Sequence, residues 1–414
     1  MRISLFIYLL ACTALAAQQP PASTELAGKP FFITKNWVIG GEGDWDQIAL
    51  DAAAARLFIA HGRQVQVVDT ETGALTGTIA RLGEARSVAL DNGSDSGYLA
   101  DAKLSTVVVF DQRTLQPTKA IPVADKPRLL VFDPGEKLLF AVGFPVPSPP
   151  PPRTVMSRDA NGNIRSVTIP SYLPLAAGEV ITPIAVIDTE RQVVVGRLLF
   201  SGRLDASLGD SRGHLFIEVT DRDYVLRVDT HAIAARLQSS HEDVPAALDY
   251  RDIGSSEKST AAWAAADHPD IFYVKSACSE PRGLAVDSRL ERLFVACKNM
   301  KLTVWNMGDG ELVGSLPLSD PPNALAYDPD RGLLFAASGD GSLTIVRRHV
   351  TDSYSVVQNL PTRMQARSMA LNPVNGEVYL VTNQLGFDLT KANGIGQLQT
   401  APIQGSFQVM VVGN

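Results

Sequence analysis

CSEPRGLAVDSRLERLFVACKNMKLTVWNMGDGELVGSL, residues 278–316, holds four short apolar runs separated by turn-forming residues. LAVD ends at Asp287, RLFVA follows at once, LTVWN ends at Asn306, and LVGSL closes the unit. The runs are rich in β-branched, aliphatic and aromatic residues and only four to six residues long, which is the pattern of β-strands. Asp or Asn at a strand end suits a tight turn, because the short side chain can hydrogen-bond the backbone just ahead of it.

The same phrase recurs along the chain. First strands end as IALD (Asp51), VALD (Asp91), LVFD (Asp133), ASLGD (Asp210), LAVD (Asp287), LAYD (Asp328) and MALN (Asn372). Second strands read RLFIA, GYLA, LLFAV, HLFIE, RLFVA, LLFAA and VYLV, and third strands often end in another Asp, at Asp69, Asp111, Asp188 and Asp229. By subtraction, the first-strand endings lie 40, 42, 77, 77, 41 and 44 residues apart. Four strands per 40–45 residues is the period of a β-propeller blade, and each long interval equals one blade plus an insertion. Many strands are apolar throughout, as sheets packed on both faces require. The expected fold is therefore all-β, a seven-bladed β-propeller of four-stranded blades spanning residues 30–414. The last phrase lacks its outer strand, whereas FFITKNWVI (residues 31–39) precedes the first phrase without a blade of its own. That segment is expected to close the last blade and remove a sheet edge.

The phrases GGEGDWDQIALD, CSEPRGLAVD followed by RLFVAC, GDGSLTIV and ARSMALNPVNGEVYL resemble those of YVTN-type, YncE-like bacterial propeller proteins. The resemblance covers essentially the whole chain after its first residues and implies an exported seven-bladed propeller. It implies no catalytic motif, and a fold does not settle an activity.

Strand order places the candidate site. Inner strands begin on one face, here the upper face, and the links between second and third strands and between blades return to it. Three irregular segments interrupt the repeat, near 145–183, 241–277 and 383–404, and all three are assigned to the upper face, where repeat proteins commonly bind. The first contains a Pro-rich run and then a hairpin expected around Asn161-Gly162. Asp159-Ala160-Asn161-Gly162-Asn163 looks superficially like a calcium loop, but Ile164 and Pro170 occupy the positions that need Gly and Glu. Five residues before each inner-strand ending stand Asp46, Arg86, Arg128, Asp205, Arg282, Asn323 and Arg367. These seven rim positions would surround the mouth of the central channel with a local charge of +2. Two readings are open: the arginines hold an anionic ligand, or they pair with Asp46, Asp205 and backbone carbonyls and tie blades together.

Residues 1–17 read as a signal peptide, with Arg2 ahead of an apolar run and small residues at Ala14, Ala16 and Ala17; residues 18–29 read as a linker. Leu9-Leu10-Ala11-Cys12 also loosely fits a lipobox, so a lipid anchor at Cys12 is the alternative. The apolar run is short for a membrane span, and no transmembrane segment is expected in the mature chain. The expected location is periplasmic or secreted, where Cys278 and Cys297 would form a disulfide. Losing Arg2 takes the formal charge from −7 to −8. That balance, without a basic run, disfavours nucleic acid as a partner.

The six histidines, His61, His214, His231, His241, His268 and His349, show no metal-ligand spacing and read as surface or turn residues. No haem, P-loop, dinucleotide or GxSxG motif is present, so neither metal nor cofactor is expected. Three functions remain in competition. The first is a non-catalytic binding or scaffolding propeller of the bacterial envelope, engaging a small anionic ligand or a protein partner on the upper face. The second is an exported enzyme, lactonase-like or quinoprotein-like, with dispersed site residues. The third is nucleic-acid binding.

Overall fold

The computed structural model describes residues 29–123, 125–147, 153–158, 164–169, 180–239, 246–251, 253, 264–265, 268–350, 352–388 and 399–414. Residues 1–17, with Cys12, lie outside this set, as do the Asn161-Gly162 turn and His241. From Phe31 onward the chain forms one compact unit.

Seven sheets make the ring, each built on four antiparallel strands, with extra strands added in blades three and four. Their inner strands are Trp45–Asp51, Ala85–Leu90, Pro127–Asp133, Leu204–Gly209, Pro281–Asp287, Ala324–Asp328 and Ser368–Leu371. Each lies against the next, and the seventh returns to the first. Phe32–Val38 pairs antiparallel with Gln408–Gly413 (Phe32 opposite Gly413, Val38 opposite Gln408), so the N-terminal strand closes blade seven as the sequence predicts.

Two features common to all seven blades explain why this sequence takes this form. Each second strand carries an aromatic residue, third in the strand in blades one to six and second in blade seven: Phe58, Tyr98, Phe140, Phe216, Phe294, Phe335 and Tyr379. All seven are at most 1% exposed. Burying each ring stabilises the ring of sheets by roughly 1.5–3 kcal/mol before conformational entropy is set against it. The second feature lies on the lower face, where every inner-strand carboxylate or amide caps its own turn. Asp51 accepts from the Ala54 amide at 3.0 Å, Asp91 from Gly93 at 2.9 Å and Asp133 from Gly135 at 2.8 Å. Asp210, Asp287, Asp328 and Asn372 do the same for the residue two further on, at 2.8–3.0 Å.

The insertions differ from one another. In blade three the second and third strands, Leu138–Gly143 and Val180–Asp188, extend their ladder through Val146–Pro147 (Val146 opposite Ile181). Beyond it, Arg153–Arg158 and Ile164–Ile169 pair as the expected hairpin. In blade seven, Leu385–Asp388 pairs with Gln399–Pro402 between the second and third strands.

The second insertion corrects the expectation. Residues 241–277 do not simply link blades four and five on the upper face. The chain leaves the third strand of blade four, Tyr224–Asp229, on the lower face and enters a helix, Thr230–Ser239, capped by Asp229 on the Ala232 amide at 2.9 Å. Ala246–Tyr250 then adds a fifth, parallel strand to blade three against Val193–Ser201. Ala264–Ala265 lies outside Ile271–Lys275, which is the missing fourth strand of blade four, with Lys275 opposite Tyr224. The insertion therefore wraps the outside of two blades. It is fastened by Arg236, whose guanidinium donates to Asp270 at 2.6 Å, and by Tyr250 stacked on Phe200 at 5.3 Å.

Candidate site at the upper mouth of the channel

The seven rim positions occupy a special place in their strands. In blades one to five the inner-strand register shifts at that point: between Trp45 and Ile48, Ala85 and Ser87, Pro127 and Leu129, Leu204 and Ser207, and Pro281 and Gly283. Asp46, Arg86, Arg128, Asp205 and Arg282 are thus bulge residues, left out of the ladder. A bulge turns a side chain away from the regular alternation of a strand. Asn323 and Arg367 immediately precede the first paired residues of blades six and seven, Ala324 and Ser368.

Asp46, Arg86, Arg128, Asp205, Asn323 and Arg367 line one recessed cavity of about 270 Å³, together with Phe144. Arg282, the seventh, is outside that lining and pairs with Glu280 at 3.1 Å. Below the mouth a shaft of about 360 Å³ continues between the inner strands. A larger groove of about 750 Å³ between the outer strands of blades one and two is lined by none of the seven.

Both readings of the arginines find support here, on different sides of the ring. Arg86 of blade two pairs with Asp46 of blade one at 3.2 Å and with Glu84. Arg128 of blade three pairs with Asp205 of blade four. These pairs zip neighbouring blades together. Phe144, the first residue past the second strand of blade three, sits under both cations, 5.5 Å from Arg86 and 5.8 Å from Arg128. The rim charge also needs correction: Glu84 and Glu280, two residues before Arg86 and Arg282, cancel the +2 counted from the seven positions alone. Arg367 differs from the other three arginines. It lies over the Trp45 ring at 5.9 Å and has no carboxylate partner among the described residues. Burial raises the Asp46 carboxyl above its ordinary value, against the opposing pull of Arg86, Arg128 and Arg367.

Behind the mouth lies a group that the sequence reading passed over. Glu218, in the second strand of blade four (His214–Val219), is fully buried, and neither carboxyl oxygen has a hydrogen-bond partner of good geometry. All six other blades carry Ala or Val at the equivalent place: Ala60, Ala100, Val142, Ala296, Ala337 and Val381. Burial and the nearby Asp205 carboxylate raise its pKa well above the ordinary range, opposed more weakly by the Ala206 and Gly283 amides and Arg282. Phe144 escaped the sequence reading because it belongs to an insertion, outside the repeat. Glu218 had a signal, the odd acid in a column of small apolar residues.

Cys278 and Cys297 form the expected disulfide, with Cα atoms 5.9 Å apart. A bridge over that separation contributes about 3 kcal/mol in the chain-entropy picture. His214 and His231 contact Asp210 and Glu136 at 2.8 and 2.9 Å. His61 does not sit at the surface: its ring is buried, 3.9 Å from the Phe407 ring, with Nδ1 2.7 Å from Gln66 Oε1. No cluster of three or more potential metal ligands occurs among the described residues.

The chain matches no known protein family profile and no curated protein. Solved structures do resemble it. The crystal structure of RRP9 WD40 repeats superposes with a TM-score of 0.59 at 9% identity, covering 92% of this chain and 97% of the other. The structure of U3-55K gives 0.59 at 9% over 92% and 98%. A chain from the crystal structure of a mitotic checkpoint complex gives 0.55 at 12% over 97% and 100%. At such identities the likeness establishes the seven-bladed propeller fold and nothing finer.

Proposed function

We propose that the protein is a non-catalytic binding propeller of the bacterial cell envelope, of the YVTN-type, YncE-like kind, which engages a small ligand or a protein partner at its upper mouth. The observation that carries this reading is convergence: rim side chains from six blades, 40 residues apart at the closest and spread from Asp46 to Arg367 along the chain, meet in one recess. Binding is favoured over catalysis because the mouth carboxylates Asp46, Asp205 and Glu84 are each engaged by an arginine. An enzyme of the lactonase-like or quinoprotein-like kind would need groups free to move protons or hold a cofactor. Residues 1–17 and the Cys278–Cys297 bridge support an oxidising, exported location. No helix among the described residues is long and apolar enough to cross a membrane.

A thermal-shift screen against small metabolites tests the mouth directly. Compounds that stabilise the protein should lose their effect in an Arg86→Ala/Arg128→Ala variant and keep it in Arg289→Ala, which breaks an exposed lower-face pair. Hits that ignore the mouth variant, or that are turned over to product, would defeat the reading. Mass spectrometry of the mature chain tests the location: it should begin near residue 18, and an intact Met1 would contradict export.

A further inference from the structure

Five residues line both the mouth and the shaft beneath it: Gln47, Leu129, Asn323, Arg367 and Ser368. They mark the constriction between the two cavities, and four of the five carry hydrogen-bond donors. The amide of Asn323 is oriented, because its Oδ1 accepts the Gly339 N–H at 2.7 Å. Its NH₂ is therefore the end left to offer a ligand. Arg367, beside it, is the rim arginine without a carboxylate partner among the described residues. Together they form a donor sector in blades six and seven, whereas the mouth arginines of blades two and three are already paired.

We propose that this constriction is a carboxylate subsite and that the mouth takes a free ligand of the amino-acid class. The carboxylate rests on the Arg367 guanidinium and the Asn323 amide, and the ammonium points toward Asp46. This inference rests on the reading of the mouth as a binding site and goes beyond it by naming the ligand chemistry. Two features select a zwitterion over a simple anion. Asp46 lines the same cavity as Arg367 and feels its charge. A plain carboxylate or phosphate drawn to Arg367 shares the recess with the Asp46 and Asp205 carboxylates, which are paired with Arg86 and Arg128. An ammonium on the ligand instead adds a second cation to Asp46 beside its pair with Arg86. Size agrees as well: about 270 Å³ lies just under the small end of ligand pockets, which suits a single residue better than a dinucleotide or a peptide.

Calorimetric titration of the full chain with the free L-amino acids, their carboxamides and the matching des-amino acids tests the proposal. At least one amino acid should bind, with its amide and its des-amino analogue each at least tenfold weaker, since each lacks one charge-assisted contact. Arg367→Gln and Asn323→Asp should each weaken binding at least tenfold. Arg282→Gln, on the rim but outside both linings, should change it less than twofold. Melting temperatures of all three variants serve as the folding control, and all lie at solvent-reachable positions. Absence of binding by every amino acid, equal binding of an amide, or indifference to Arg367→Gln would each overturn the subsite. If screen hits depend on Arg86 and Arg128 but not on Arg367, the subsite falls while the mouth reading stands.

Discussion

The two faces of the ring treat the same repeat in opposite ways. On the lower face, seven equivalent positions hold six aspartates and one asparagine, and all seven perform one local task, capping their own turn. On the upper face, five residues earlier in the same strands, the equivalent positions hold four arginines, two aspartates and an asparagine, and they do different things. Four form two pairs between blades, Arg282 pairs beside its own strand with Glu280, and Arg367 remains open to the cavity. Chemical uniformity at one rim marks what every blade needs in order to fold. Variety at the other marks positions released from that need, and five of the seven are lifted out of the ladder by bulges.

Substitutions at the two rims should therefore differ in kind. Asp328→Ala has the largest expected effect. Asp328 is fully buried and accepts from the Asp330 and Arg331 amides, both at 3.0 Å, and from the Arg331 guanidinium at 2.8 Å. Its loss leaves those donors unsatisfied and should cost about 2–4 kcal/mol by chemical denaturation. Glu218→Gln should act in the opposite direction. The folded protein holds the Glu218 proton more tightly than the unfolded chain does. Stability from this group is therefore full below the ordinary glutamate value of about 4.3 and declines as pH rises toward the raised folded value. The glutamine variant should lose that decline and gain on the order of 1–3 kcal/mol at neutral pH. An unchanged pH profile would show that the carboxyl is compensated after all. Arg128→Ala has the smallest expected effect, under about 1 kcal/mol, because Asp205 across the pair is half exposed. If Arg128→Ala proved as damaging as Asp328→Ala, the contrast between the rims would collapse.

How much of this was legible in the sequence follows from the same contrast. Strands, turns, blade number and closure were readable because each is written seven times, and the aromatic and Asp columns reinforce one another. The rim positions were readable from spacing alone, which put six of them in one cavity. Of their partners, Asp46 and Asp205 were readable because they stand in the same column, whereas Glu84, Glu280 and Phe144 lie outside it. Ile271–Lys275 was missed as a strand because some forty residues separate it from the strand it pairs with. The helix and the added strand between them carry no repeat signal. The covering of blade three's outer edge by Ala246–Tyr250 is a tertiary event that local pattern does not encode.

We propose that this propeller binds at its varied rim. A crystal structure of the full chain grown with its tightest small-molecule ligand tests that most directly. The ligand should occupy the recess between Arg367 and Asp46, with an acidic group against Arg367 and Asn323. Density for it over the lower-face turns, or in the groove between blades one and two, would rule out the upper rim as the binding site.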